Sequence, residues 1–161
     1  PIRLMKIASP GERESNMALS DFTLLAKLEA LDIETHKIVK RFEKSEKHVL
    51  SAEIRTTLSN LLHLVIRAAK TQMEEKRKRR PPLQTQELLW QTDVELEYLK
   101  IQVRKSFALR LINEGCYEAW SRQISEVGGL LGGWIKKNRE TVEAVQAHAQ
   151  AAKQPKQGTL L

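Results

Sequence analysis

The stretch EEKRKRRPP, Glu74 to Pro82, sets five consecutive cations, Lys76, Arg77, Lys78, Arg79 and Arg80, behind two carboxylates and ahead of two prolines. Such side chains bind phosphate, because each one that neutralises a backbone phosphate releases the counterions condensed on it. The plainer reading is a solvated helix end, where cations sit well against the helix dipole and keep a protein soluble. In a eukaryotic host the run would also match a nuclear-import signal. Other chemistry has little to stand on. His36, His48, His63 and His148 fall on separate turns, and no glutamate is followed three residues later by histidine. The inward Glu-x-x-His pairs of a di-metal bundle are therefore missing, and the histidines read as ordinary polar residues. Cys116, the one cysteine, has no base beside it in sequence and reads as a structural thiol. It cannot form an intrachain disulfide, which agrees with a reducing compartment, with the cytoplasm as default. The glycine pairs do not match a phosphate-binding loop. No catalytic residue, metal or cofactor is expected, and the chain is not expected to be an enzyme.

The 161 residues carry a formal charge of +7, with 41% hydrophobic and 29% charged residues and only 7 Gly and 5 Pro. This balance suits one all-α domain, and the charge favours a polyanionic or acidic partner. No apolar run is long enough to span a bilayer, so no membrane association is expected. Four amphipathic segments position the basic run. Leu24, Leu28, Leu31, Thr35, Ile38 and Phe42 alternate in steps of three and four and mark the first helix. Ser45 is placed to cap a second helix beginning near Glu46, whose stripe runs Leu50, Ile54, Leu58, Leu61, Val65 and Ala68, widened by Leu62, Ile66 and Ala69. Pro81 and Pro82 end it. A third helix restarts near Thr85 and buries Leu88 or Leu89, Leu96, Leu99, Val103 and Phe107, ending near Asn113. Asn113 can cap the fourth, with Gly115 either closing the third or tolerated in the fourth's first turn.

The fourth helix follows Tyr117, Trp120, Ile124, Val127, Leu131, Trp134, Asn138, Thr141 and Val145. Glycine inside a helix costs roughly 0.8–1 kcal/mol relative to alanine, yet Gly128, Gly129, Gly132 and Gly133 all lie mid-helix. Two G-x-x-x-G faces beside the apolar stripe would let a partner backbone approach closely, so these glycines with Trp134 are candidate helix-packing or oligomer contacts. A local kink is the alternative. Trp90, Trp120 and Trp134 could stack on bases, although the latter two lie on the stripe and read as core. Residues 1–19 are expected to be a flexible segment, with Met17 the natural start and an upstream remnant before it. Residues 20–148 form the bundle and 149–161 a disordered tail. Short connections favour an antiparallel up-down four-helix bundle. That topology gathers Arg67, Lys70, Lys76, Arg77, Lys78, Arg79, Arg80, Lys136, Lys137 and Arg139 at one pole.

The segments FEKSEKHVLSAEI (Phe42–Ile54), TDVELEYLKIQVR (Thr92–Arg104) and YEAWSRQISEVGGLLGGWIKK (Tyr117–Lys137) resemble the accessory variability determinant proteins of diversity-generating retroelements. This four-helix-bundle family also includes proteins encoded in intervening sequences of 23S ribosomal RNA genes. The match is strongest at Glu126, Val127, Gly128, Leu130, Leu131, Gly132 and Trp134. Glu43 stands where family members often have proline, and Gly129 where many have a basic residue, which removes one candidate nucleic-acid contact; KRKRR could compensate. The resemblance implies a homopentameric barrel of four-helix protomers that binds RNA or DNA and the retroelement's reverse transcriptase. Its role would be non-catalytic support of mutagenic retrohoming, in which the polymerase copies a template RNA with errors at adenine. An intervening-sequence-type RNA-associated protein and a purely structural oligomerisation module are the competing readings.

Overall fold

A computed structural model describes residues 19–154, so the expected N-terminal segment up to residue 18 and the last residues of the expected tail lie outside the described residues. Helices α1 (Leu19–Val39), α3 (Leu50–Arg77), α4 (Leu83–Ala108) and α5 (Glu114–Lys153) are long, and α2 (Lys44–Lys47) is a single turn. No strand occurs among the described residues, and none of these helices is long and apolar enough to cross a membrane. α3 packs against α1 and α4, and α5 against α4 and α1. This closes a four-helix bundle in chain order. The directions are antiparallel: Trp120, near the start of α5, donates to Thr35 near the end of α1 (Nε1 to Oγ1, 3.0 Å), while Trp134 farther along α5 donates to Gln72 Oε1 at 3.0 Å.

The apolar stripes meet in one core. Leu24, Leu28, Leu31, Ile38 and Phe42 are buried with the whole Leu50 to Ala68 row, with Leu88, Leu89, Leu96, Leu99 and Val103, and with Trp120, Ile124, Val127, Leu131 and Trp134. Each leucine-sized side chain so enclosed contributes about 1.5–3 kcal/mol of transfer free energy. Two polar members of the stripes bond across the bundle. Thr35 takes the Trp120 indole N–H, and Asn138 donates Nδ2 to the Pro82 carbonyl at 3.2 Å. Both residues are buried.

Several boundaries differ from the sequence expectation. Ser45 caps nothing: it lies within the α2 turn, and neither α2 nor α3 has a side-chain cap. Ile66 is 41% exposed and Phe107 39%. Phe107 instead stacks on Tyr117 with ring centroids 4.7 Å apart. Beyond Asn138 the buried position is Val142, while Thr141 and Val145 face outward. α5 also continues through Lys153, past the expected boundary at 148. Asn113 does cap α5, its Oδ1 accepting from the Cys116 N–H at 2.8 Å, and Gly115 lies in the first turn.

α4 ends at Ala108, short of Asn113, because Arg110 adopts φ 59°. The Leu111 N–H bonds to the Ser106 carbonyl and the Arg110 N–H to the Phe107 carbonyl, each at 2.9 Å. This is a Schellman closure, normally built on glycine. α3 ends the same way on Arg79, φ 53°, with Arg80 N–H to Glu75 O at 2.8 Å and Arg79 N–H to Lys76 O at 3.1 Å. Left-handed backbone costs an L side chain roughly 1–2 kcal/mol that glycine escapes. Arg110→Gly is therefore expected to stabilise the fold by about 1 kcal/mol, raising the thermal midpoint by about 3 °C. A lower midpoint in thermal unfolding would show that the arginine side chain contributes more than its backbone strain costs.

The glycine faces of α5 do not mediate close helix packing within the protomer. A Cβ on Gly128 would meet Leu96 Cδ2 at 3.5 Å, an ordinary contact, and nothing lies within 4 Å of one on Gly129, Gly132 or Gly133. Trp134 belongs to the core. With open space around it, Gly132→Ala should stabilise an uncovered helix by about 1 kcal/mol. A fall in stability accompanied by loss of assembly would place a partner on that face.

Candidate nucleic-acid interface

The prolines dictate where the basic run sits. Pro81 and Pro82 forbid α3 from continuing, and the Schellman closure on Arg79 turns the chain within residues 78–82. The two carboxylates at the head of the run have opposite tasks. Glu74 faces outward and accepts from Arg77 (Nη2 to Oε1 2.8 Å, Nε to Oε2 3.1 Å), with Lys78 Nζ at 2.7 Å from Oε1. The Arg77 hydrogen bonds, then that of Lys78, pull the Glu74 pKa from 4.5 to about 2. Glu75 faces inward. It is 6% exposed and accepts from the Thr85 N–H at 2.9 Å, the Thr85 hydroxyl at 2.6 Å and the Gln84 N–H at 3.2 Å. These are donors at the start of α4, where a negative charge also meets the positive end of the helix dipole. α4 thus begins at Leu83 with its cap supplied by α3.

The Asn138 to Pro82 hydrogen bond holds α5 level with this turn. Lys136, Lys137 and Arg139 therefore stand at the same end of the bundle as Lys76 to Arg80, and all of them are exposed. Arg77 and Lys78 are compensated by Glu74, whereas Lys76, Arg79, Arg80, Lys136, Lys137 and Arg139 have no ion pair among the described residues. Lys70 and Arg67 are exposed farther up α3, Arg67 about 13 Å from Lys76 by helical rise. Arg67 lines a separate groove of about 550 Å³ between α3 and α4 with His63, Glu87, Trp90 and Glu95. The pole is thus narrower than the sequence grouping, with Arg67 on its flank.

One feature escaped the sequence reading, the role of Glu75, and one candidate, Trp90, stands where the sequence left it, off the apolar stripe. Glu75 lies three residues beyond Gln72 and seven beyond Ala68, in step with the Leu61, Val65 and Ala68 row; a carboxylate in register with an apolar stripe is the signal of a buried acceptor. Trp90 is 63% exposed, and no core helix covers it. Elsewhere the chemistry is sparse. Cys116 is half-buried, and burial pushes its thiol pKa up, away from the thiolate that a nucleophile needs. Among the described residues no three His, Cys, Asp or Glu side chains gather where they could hold a metal ion.

No curated protein matches the chain. Residues 22–138, from the fourth residue of α1 through the Asn138 tie at the pole, match the family model described as bAvd-like. With most of its length inside that match, which takes in α3 and α4 whole and the larger part of α1 and α5, the chain belongs to the bAvd-like family of accessory variability determinant proteins.

Proposed function

We propose that this protein is a non-catalytic, cytoplasmic accessory factor of a diversity-generating retroelement, which binds RNA or DNA, the template RNA first among them, through its basic pole and associates with the retroelement reverse transcriptase. The observation that carries this reading is the uncompensated cation cluster that α3, the 78–82 turn and α5 present together, in a chain of +7 that belongs to the bAvd-like family. Phosphate contacts of this kind position a nucleic acid without reading its bases, as an accessory to a polymerase requires. The family resemblance extends the proposal to a homopentamer, in which the pole would be repeated around the ring.

The test is paired measurement of RNA affinity and of co-purification with the reverse transcriptase encoded beside the gene. Both activities in the wild-type chain are expected. Substituting the pole should abolish RNA binding first. Retained RNA binding with lost polymerase association would reassign the pole to the protein partner, and absence of both activities from the wild-type chain would overturn the proposal.

A further inference from the structure

α4 carries a second stripe on the side away from the core. Leu83, Trp90, Val94, Tyr98 and Ile101 are 46%, 63%, 50%, 44% and 50% exposed, and Leu109 just beyond the helix is 48% exposed. With Glu87 and Lys105, also exposed, they recur every three or four residues and form one face about 27 Å long between those two charges. Most surface apolar residues stand singly; a contiguous row of this length marks an interaction surface.

The arrangement of the row says what covers it. Counted from a midpoint level with Leu96, Leu83 matches Leu109, Glu87 matches Lys105, Val94 matches Tyr98, and Trp90 falls beside Ile101. The charges of the helix change sign about the same point: Glu87, Asp93 and Glu95 precede it, Lys100, Arg104 and Lys105 follow, and Glu97, the one acid on the far side, is ion-paired to Lys100. Glu87 and Lys105 have no ion-pair partner among the described residues. A face on which apolar side chains match apolar ones across the midpoint and an acid matches a base fits an inverted copy of itself. We infer that the outer face of α4 is a two-fold interface on which α4 of a second copy of this chain lies antiparallel.

In that pair Val94 of each copy meets Tyr98 of the other, Trp90 packs beside Ile101, and Glu87 reaches Lys105 at both ends. A parallel arrangement would set acid against acid and base against base. A two-fold contact closes at two copies, and a ring of five needs a different, head-to-tail contact. The inference therefore stands apart from the pentamer and from the nucleic-acid role.

Sedimentation and cross-linking of the full chain test it. In a Cys116→Ser background, Val94→Cys near the two-fold axis should cross-link to itself through a short bismaleimide, since only an isologous contact brings a residue to its own copy. Trp90→Ser, at an exposed position that leaves the core intact by circular dichroism, should raise the dissociation constant of the pair roughly 30-fold, the loss of a central aromatic anchor. Glu87→Lys and Lys105→Glu should each weaken association, and the double variant should restore it. A wild-type chain that is monomeric at micromolar concentration overturns the inference. So does an assembly that Trp90→Ser and both charge changes leave unaltered. If Trp90→Ser weakens RNA binding while assembly persists, the tryptophan is a base-stacking platform and the two-fold contact is wrong.

Discussion

Glu75→Ala is expected to destabilise the fold by about 3 kcal/mol and to lower the thermal midpoint by roughly 10 °C. The carboxylate holds two backbone N–H groups and one hydroxyl at the start of α4, at 3.2, 2.9 and 2.6 Å, in a pocket that leaves it 6% exposed. Alanine offers no acceptor, and a buried donor without a partner costs about 1–3 kcal/mol. Pro82 at the N-cap position makes no side-chain hydrogen bond that could take over. Glu75→Gln keeps one carbonyl oxygen and loses the charge that favours the helix N-terminus, so it should recover only part of the loss. Urea unfolding of the three proteins decides it. A Glu75→Ala chain within 0.5 kcal/mol of wild type, a difference typical of plain surface changes, would show that water replaces the carboxylate.

The second large effect concerns phosphate binding. Replacing Lys76, Arg79 and Arg80 together with glutamine should flatten the dependence of log affinity on log salt by about 2 units on single strands, at about 0.7 per phosphate contact. Arg77→Gln with Lys78→Gln should do less per residue, because Glu74 already engages both cations. Glu74→Gln frees that pair and should tighten binding and steepen the slope. With its pKa held at about 2, Glu74 stays ionised from pH 8 down through pH 5. Its stabilising ion pairs are present above the ordinary carboxylate pKa of 4.5 and lost only as pH falls toward 2, so binding should show no transition from this group near neutrality. Fluorescence anisotropy on a labelled RNA across salt and pH checks both. A triple variant with unaltered affinity and slope would remove the pole from phosphate binding.

The four long helices and most of the core were legible because a three-four alternation of apolar residues has one economical explanation, a buried helical face. The same logic correctly held Thr35 and Asn138 within their stripes. It failed where identity and periodicity part company. Helix ends are recognised by glycine, and here two arginines occupy the left-handed position, so the end of α4 at Ala108 was hidden. Glu75 lies on the buried row but was counted with its charged neighbours, since composition cannot distinguish a solvated carboxylate from a capping one. Trp90 shows a further limit: its place off the apolar stripe was legible, but only the packing of α4 against α3 and α5 reveals that the bundle leaves the whole face around it uncovered. The cation cluster was found because topology alone brings the ends of α3 and α5 together. Its division into paired and free charges depends on side-chain geometry that no spacing encodes.

The turn at residues 78–82 is tied down on every side, by the Schellman closure on Arg79, by the Glu75 bonds to Gln84 and Thr85 and by the Asn138 bond to Pro82. Its cations consequently project from a backbone that is already ordered, unlike those of a basic tail, which must surrender chain entropy when it binds. An approaching strand would immobilise side chains only, at about 0.5–1.5 kcal/mol each. The spacing of the charges is then a property of the fold, so in the proposed role the pole would act as a template of fixed dimensions and favour phosphates presented at the matching separation.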